Sequence, residues 1–197
     1  MLTDSFIDWW FAPWHYAIAP HPSAVAQDLI SQRDGYRNWC AQAAIASELP
    51  AQFDPQWTSA AVSDANVLSQ AASLFMGLIS ARQPLQAQQG TFNALSFEDR
   101  KWCLSLAATQ LLPAYAVDHP ECDEDGAIRG MAELAIRLNS GFPGLWSRLQ
   151  MTLQAADRAA VQLRVQNSWA DHEAVNRSAA RSQRCWRLCL QRSRGVS

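Results

Sequence analysis

Four histidines and five cysteines are the residues of this chain that could ligate a metal ion. Zinc sites usually pair their ligands as C-x2-4-C or H-x3-5-H. Cys185 and Cys189 have this spacing, and His119 with Cys122 offers the other close pair. Two isolated pairs are a poor pattern for a zinc centre. The sequence therefore predicts no metal site, and it predicts that the thiols are buried or unconstrained.

Residues 118–126 carry five carboxylates and end in a glycine, which suggests calcium as a second possible ligand. A calcium-binding loop alternates its acidic residues and places a glutamate six residues after the glycine. Ala132 stands at that position. The sequence therefore predicts a solvated loop.

Catalysis would require a nucleophile, a base and an orienting group close together. The chain contains no G-x-S-x-G, no glycine-rich phosphate loop and no H-E-x-x-H. Asp171, His172 and Glu173 are adjacent, but such a trio on a helix is commonly a polar face. The sequence predicts no catalytic residue and no cofactor. A small helical enzyme remains an alternative if a pocket gathers His172, Glu173 and another titratable group.

Charge is unevenly distributed along the chain. The whole chain carries −2 and residues 174–197 carry six arginines without an acid, so residues 1–173 carry −8. A basic tail can bind nucleic acid or an anionic membrane, or it can be a solvated helix face. The acidic remainder argues against nucleic acid, and an acidic partner protein fits the tail better.

Large aromatic rings are concentrated at the start, where the first 22 residues hold three of the nine tryptophans. Trp and Tyr are enriched at protein interfaces because each combines a large apolar face with one polar atom. The same rings could cap a helical core, and both roles can hold at once. The candidate partner-binding residues are Trp9, Trp10, Phe11, Trp14, Tyr16, His21 and Pro22.

The elements that must position these residues are helices. The composition is 49% hydrophobic and 17% charged over 197 residues, which suits one globular protein, and its Ala- and Gln-rich character favours helix. We predict an all-α fold, a compact multi-helix domain with short loops and little or no sheet. Residues 1–173 form the helical domain with the Trp-rich segment, and 174–197 form an Arg-rich helix or tail.

Capping signals predict individual helices. Ser63 or Asp64 begins a helix that extends through Ile79, and Ser96 opens a capping box before a helix to Leu112. Further helices are predicted over 24–32, 37–48 with a break at 34–35, 127–138, 143–169 and 174–191. An odd number of widely spaced cysteines indicates a reducing compartment, and no stretch is long and apolar enough for a membrane span.

Three segments together resemble the SctK family of type III secretion accessory proteins. The opening F-A-P-W-H-Y of residues 11–16, followed by His21-Pro22, is similar to the family's F-x-P-x-x-Y and His-Pro start. The helix through Met76-Gly77, followed by Arg82 and Gln89-Gly90, and the turn over residues 141–146 follow in the family's order. The Trp-rich style most resembles the HrpD branch.

That resemblance implies a mostly helical, non-enzymatic adaptor on the cytoplasmic side of the secretion apparatus, peripheral to the inner membrane. Its expected partners are the inner-membrane ring protein, SctD-like, and the pod protein of the sorting platform, SctQ-like, with no nucleic acid and no membrane span. The alternative function is a secretion chaperone or regulatory module that holds one exported protein in a groove between helices.

Overall fold

The computed structural model describes residues 2–18, 29–81, 90, 92–116, 125–168 and 171–195. Within them the chain is helical and contains no strand, which confirms the all-α prediction. Three short 3-10 turns, Pro13–His15, Pro55–Ala60 and Gln150–Thr152, join the helices. The α-helices are α1 Asp4–Phe11, α2 Leu29–Gln42, α3 Ala65–Ser80, α4 Phe97–Ala107, α5 Gly126–Gly141, α6 Leu145–Leu149, α7 Ala155–Gln166, α8 His172–Arg177 and α9 Ala179–Gly195.

Helices α3 and α5 form the centre of the core and make the largest helix–helix contact. Each begins at an aspartate whose carboxylate accepts a backbone N–H, from Asn66 at Asp64 and from Ala127 at Asp125, at 2.8 Å in both cases. The two backbones approach so closely that a Cβ at Gly130 would lie 1.9 Å from the carbonyl oxygen of Ala72. Glycine at this position therefore permits the crossing.

The Arg-rich end of the chain contributes to the same core. Helix α9 packs against α3, and Cys185, Trp186, Cys189 and Leu190 are buried there. The ring of Trp186 meets that of Phe75 edge-on at 5.5 Å. The arginines of α9 thus belong to the outer side of a helix whose apolar side is core.

Helix α2 continues through residues 34 and 35, where the sequence predicted a break. A helix interior tolerates a glycine at a cost of about 1 kcal/mol, and the buried side chains of Tyr36, Trp39 and Cys40 offset it by packing in a second small cluster with Met151. The helix ends at Gln42, and Ala44 adopts a positive φ of 53° just beyond it.

The long helix predicted from Pro143 is interrupted. Leu149 and Leu153 are buried in the main core, whereas Met151 between them is buried in the second small cluster. The chain turns at a 3-10 segment and at Leu153, which is extended, before α7 begins. Across the described ranges, no helix is long and apolar enough to cross a bilayer.

Candidate docking site

The aromatic segment consists of α1 and the 3-10 turn that follows it. Thr3 caps α1, since its hydroxyl accepts the backbone N–H of Phe6 at 3.3 Å. Phe6 and Trp10 lie one helical turn apart and point into the core, whereas Ile7 and Phe11 lie on the exposed side. The segment therefore has a buried side that belongs to the core and an exposed side.

Trp10 is a core residue. Its side chain is fully buried, and its ring lies 5.4 Å from that of Phe142 and 5.9 Å from that of Phe6. A partner could reach this ring only if α1 left the core. The prediction that Trp10 is a docking anchor is therefore corrected, because Phe142 packs on the side of α1 that bears Phe6 and Trp10.

Tyr16 is buried as well, and the same correction applies to it. Its ring stacks on that of Trp9 at 4.8 Å with an interplanar angle of 9°. Burial raises the pKa of the Tyr16 hydroxyl above its usual range, and the nearby Arg148 guanidinium acts in the opposite direction. Trp9 is partly buried against the main core, so this pair closes the end of the core.

Phe11 and Trp14 lie outside that core, on the second small cluster. Their rings meet the ring of Tyr36 at 5.5 Å and 6.2 Å. Phe11 and Ile7 are each 39% exposed, and Trp14 is partly exposed. We call Ile7, Phe11 and Trp14 the N-terminal patch. Asp4 and Asp8 are exposed on the same helix, which gives the patch an acidic edge.

His21 and Pro22, the remaining two candidates, lie outside the described residues. The structure therefore gives no account of their part in the site.

Arg148 fastens the N-terminal patch to the rest of the molecule. Its guanidinium is fully buried, and its carbon lies 3.6 Å above the centre of the Trp10 ring. It donates from Nε to the carbonyl of Trp10 at 3.1 Å, and from Nη2 to the Tyr36 hydroxyl and the Ala46 carbonyl at 2.8 Å each. One side chain thus joins α1, α2, the segment after α2, and α6.

The surroundings of Arg148 are neutral. Its hydrogen-bond partners among the described residues are carbonyls and a hydroxyl, and none is a carboxylate. Burial raises the pKa of Tyr36 to about 12, and the guanidinium opposes that rise. Sequence reasoning missed this residue, because an arginine two places after Trp146 carries no signal of burial.

A second buried cation, Arg137, is paired with a carboxylate. It forms an ion pair with Glu133 one turn earlier, and both side chains are about 1% exposed. Glu133 also accepts the backbone N–H groups of Tyr115 and Ala116 at 2.7 Å each. The pair fixes the segment after α4 against α5, so its role is structural.

Of the other candidate sites for chemistry, the His119–Cys122 pair and residues 118–124 of the acidic loop lie outside the described residues. Within the described ranges no group of three or more His, Cys, Asp or Glu could hold a metal ion. His172 lines a cavity of about 190 Å3 with Ile136, Asn139, Ser140, Val165, Ser168 and Val175. None of those neighbours is titratable, and Glu173 instead pairs with Arg177 at 3.2 Å on the exposed side of α8.

The turn over residues 141–146, one of the segments that resemble the SctK family, packs in the core. Its Phe142 lies between Trp10 and the ring of Phe53, 4.4 Å away. Gly144 has a φ of 86° and leaves 3.5 Å between the Trp10 ring and the place of a Cβ. This turn is therefore partly a requirement of the fold. Comparison with family models, with curated proteins and with solved structures finds no significant match for the chain.

Proposed function

We propose that this protein is a non-enzymatic adaptor of a type III secretion apparatus that joins the inner-membrane ring protein, SctD-like, to the pod protein, SctQ-like. In that function it is cytoplasmic and peripheral to the inner membrane through the apparatus. The observation that carries the docking part of the proposal is the N-terminal patch. Three apolar side chains stay accessible there. The segment that bears them is held against the core by the buried Trp10 ring and by the hydrogen bond from Arg148 to the Trp10 carbonyl.

The secretion part of the proposal has separate support. It derives from the resemblance of residues 11–16 and 141–146 to the SctK family. Phe142 of the second segment packs on Trp10, the residue that precedes the first segment. Exposed aromatic and aliphatic side chains on an ordered segment are typical interface anchors, which cost roughly 2 kcal/mol or more of binding free energy when truncated.

The test is co-purification with the ring and pod proteins from the same genome. We expect the wild-type chain to bring down both, and Ile7→Ser/Phe11→Ser to lose at least one while its circular dichroism stays unchanged. Leu163→Ser is the matched control, since Leu163 has the same 39% exposure but lies on α7. Retention of both proteins by the patch variant would remove the patch from the proposal, and failure of the wild-type chain to bind either would reject the secretion assignment.

A chaperone or regulatory module remains the second candidate function because of one groove. It measures about 490 Å3 and lies where α3, α5 and α7 begin, with Tyr16, Ile128, Met131 and Leu153 among its lining residues. Such a groove suits a segment of an exported protein. Recovery of a single soluble effector, in place of the assembled apparatus, from the native complex would favour this function.

A further inference from the structure

The groove where α3, α5 and α7 begin has partly apolar walls. Ile128, Met131 and Leu153 are buried there, and Ile18 also lines the groove although 51% of its surface is exposed. The backbone N–H of Ile18 donates to the carbonyl of Met151 at 2.9 Å, so the chain is held in place where this side chain is open to solvent. The groove therefore offers apolar contact area that the described part of the chain leaves uncovered.

The charged residues of the groove are acidic. Asp125 and Asp157 line it, and Asp64 stands between two residues that do. Asp64 and Asp125 each accept a backbone N–H as the cap of their helix, but none of the three carboxylates forms an ion pair with a described residue. No arginine, lysine or histidine among the described residues lines the groove.

The three helix starts at the groove act in the opposite direction. The N-terminus of a helix is equivalent to roughly half a positive charge, so three of them contribute about +1.5 against about −3 from the carboxylates. The balance is negative, and residues 1–173, to which the whole groove belongs, carry −8 when the six arginines of 174–197 are set against the net −2. The groove therefore favours a cation.

One hydroxyl at the groove lacks a hydrogen bond. The Tyr16 side chain lines the groove and is 9% exposed, and its hydroxyl has no partner among the described residues. A buried hydroxyl without a partner costs free energy. A backbone carbonyl of an occupant is an acceptor that could remove this cost, whereas a metal or ammonium ion offers none.

The size of the groove restricts the form of its occupant. A helix with its side chains is about 10–12 Å across, whereas a cube of about 490 Å3 has an edge of about 8 Å. An extended segment presents alternate side chains to one side, so it can place two or three of them in the groove. The groove therefore suits an extended segment better than a helix.

We propose that the groove binds an extended segment of a partner protein in which a lysine or arginine lies between large apolar residues. The apolar side chains pack on Ile18, Ile128 and Leu153, and the cation faces Asp125 and Asp157. Lysine and arginine suit this site because their alkyl stems cover apolar surface while their charged ends reach the carboxylates.

Charge and size favour this occupant over three others. An acidic segment or a nucleic-acid phosphate would face carboxylates without a cation in the groove. A small hydrophilic cation would leave the apolar walls uncovered. A second copy of the chain offers a basic and apolar face on α4, with Phe97, Lys101 and Leu104 exposed, but these residues belong to a folded helix that is too wide for the groove.

This inference goes beyond the adaptor function, and it rests on the second candidate function only for the source of the segment, which would then be an exported protein. It uses no residue of the N-terminal patch. Co-purification with the ring and pod proteins can therefore fail while the groove binds its segment, and the reverse result is equally distinct.

The test is fluorescence anisotropy of the full chain with a set of labelled nine-residue peptides. Each peptide has Leu, Ile or Phe at positions 3 and 7, Arg or Lys at position 5 and Ser elsewhere. We expect saturable binding that weakens about fivefold when citrulline, which has the shape of arginine without its charge, replaces Arg. Asp125→Asn/Asp157→Asn should weaken binding to a similar extent, and it keeps the cap of α5 because Asn caps a helix as well as Asp does.

A second variant tests the place of binding. Ser69 lines the groove, and Ser69→Trp should weaken binding more than tenfold because the indole fills the space. The matched control Gln70→Trp puts the same ring on the next residue of α3, outside the groove. Asp8→Asn/Glu98→Gln removes two charges from exposed positions on α1 and α4, and both controls should change the dissociation constant less than about twofold.

The citrulline comparison needs no variant of the protein, and unchanged circular dichroism and urea midpoints establish that a variant is folded. The proposal is overturned if no peptide of the set shows saturable binding, if the citrulline peptide binds as tightly, or if the controls lose as much as the groove variants. It is equally overturned if a peptide with Glu at position 5 binds more tightly, if arginine amide alone binds as tightly as the peptides, or if Ser69→Trp converts a dimer to a monomer in sedimentation.

Discussion

Trp10 and Phe11 are neighbours in sequence, but α1 directs one ring into the core and the other toward solvent. The sequence cannot separate them by spacing, because Phe6 with Trp10 and Ile7 with Phe11 are both apolar i, i+4 pairs. What selects the first pair is Phe142, which contacts both of its rings. That contact joins positions more than a hundred residues apart, and no local pattern encodes it.

At the residue scale we predict opposite outcomes for these two rings. Trp10→Ala should lower the free energy of unfolding by about 3–5 kcal/mol, because it opens a cavity beneath the Arg148 guanidinium. Phe11→Ala should cost about 1 kcal/mol or less, since a large part of that ring is already solvated. Urea denaturation followed by circular dichroism measures both. Equal losses for the two variants would contradict the assignment of Trp10 to the core.

A joint alanine substitution at Trp9, Trp10 and Trp14 would therefore measure folding more than binding, because Trp10 is fully buried. The composition does predict that the opening segment is rich in interface-type residues, and the exposed part of it can be tested without Trp10. The sequence does not predict which of the rings stays exposed, because exposure depends on contacts with residues of α2 and α6.

At the scale of an element, two glycines on helices have different packing environments. Gly130 faces the backbone of α3, whereas Gly35 on α2 has no atom within 4 Å of the place of a Cβ. In the sequence Gly35 follows Asp34, a pair that predicted a helix break, whereas Gly130 lies inside the helix predicted over residues 127–138. The packing of α3 on α5 shows which of the two positions requires glycine.

We therefore predict that Gly130→Ala destabilises and Gly35→Ala stabilises. The first must push α5 away from Ala72 and should cost several kcal/mol, about 3 or more. The second replaces glycine in an open helix interior and should contribute about 0.5–1 kcal/mol. Thermal unfolding of both variants beside wild type gives the measurement. A neutral Gly130→Ala would mean that the two helices do not cross as closely as described.

Helix starts were the best predicted feature at this scale. Asp64 and Ser96 cap α3 and α4 as the sequence indicated, with Ser96 accepting the N–H of Asp99 at 3.1 Å. Caps are local hydrogen bonds, so the sequence contains them. The predicted end of α4 at Leu112 was wrong, since the helix ends at Ala107. The uninterrupted helix predicted from Pro143 was also wrong, because the segment after α6 contacts two clusters that distant residues supply.

At the scale of the whole molecule, the four cysteines of the described residues are all buried, three in the main core and Cys40 in the second small cluster. Burial raises the pKa of Cys185 to about 11 and that of Cys103 to about 12, and those of Cys40 and Cys189 rise as well. The folded chain therefore binds these protons more tightly than the unfolded chain, whose thiols titrate near 9.

Stability should consequently fall as pH rises. The contribution of each thiol is fully present below pH 9 and is lost progressively as the pH approaches 11 to 12, because there the unfolded chain has released protons that the folded chain still holds. We expect the urea midpoint to decline between pH 8.5 and 10.5, and Cys185→Ala to make that decline shallower. A midpoint that does not change over this range would mean that the thiols are accessible.

The prediction of the function depends on fewer residues than the prediction of the fold. All-α architecture followed from composition and periodicity, since these average over many residues. The secretion assignment rests on short segments of sequence, and the packing of Phe142 on Trp10 in the core carries no information about partners. The partners stay a prediction until the ring and pod proteins are tested.

Arg148 sets a limit on how far the chain can be trimmed from its beginning. The carbonyl of Trp10 accepts from its Nε, and the indole covers its face. A fragment that starts after residue 11 would leave a permanently ionised group in an apolar interior with a missing acceptor, at a cost of several kcal/mol. Shortened versions made for crystallisation or for affinity tagging should therefore keep the first helix whole.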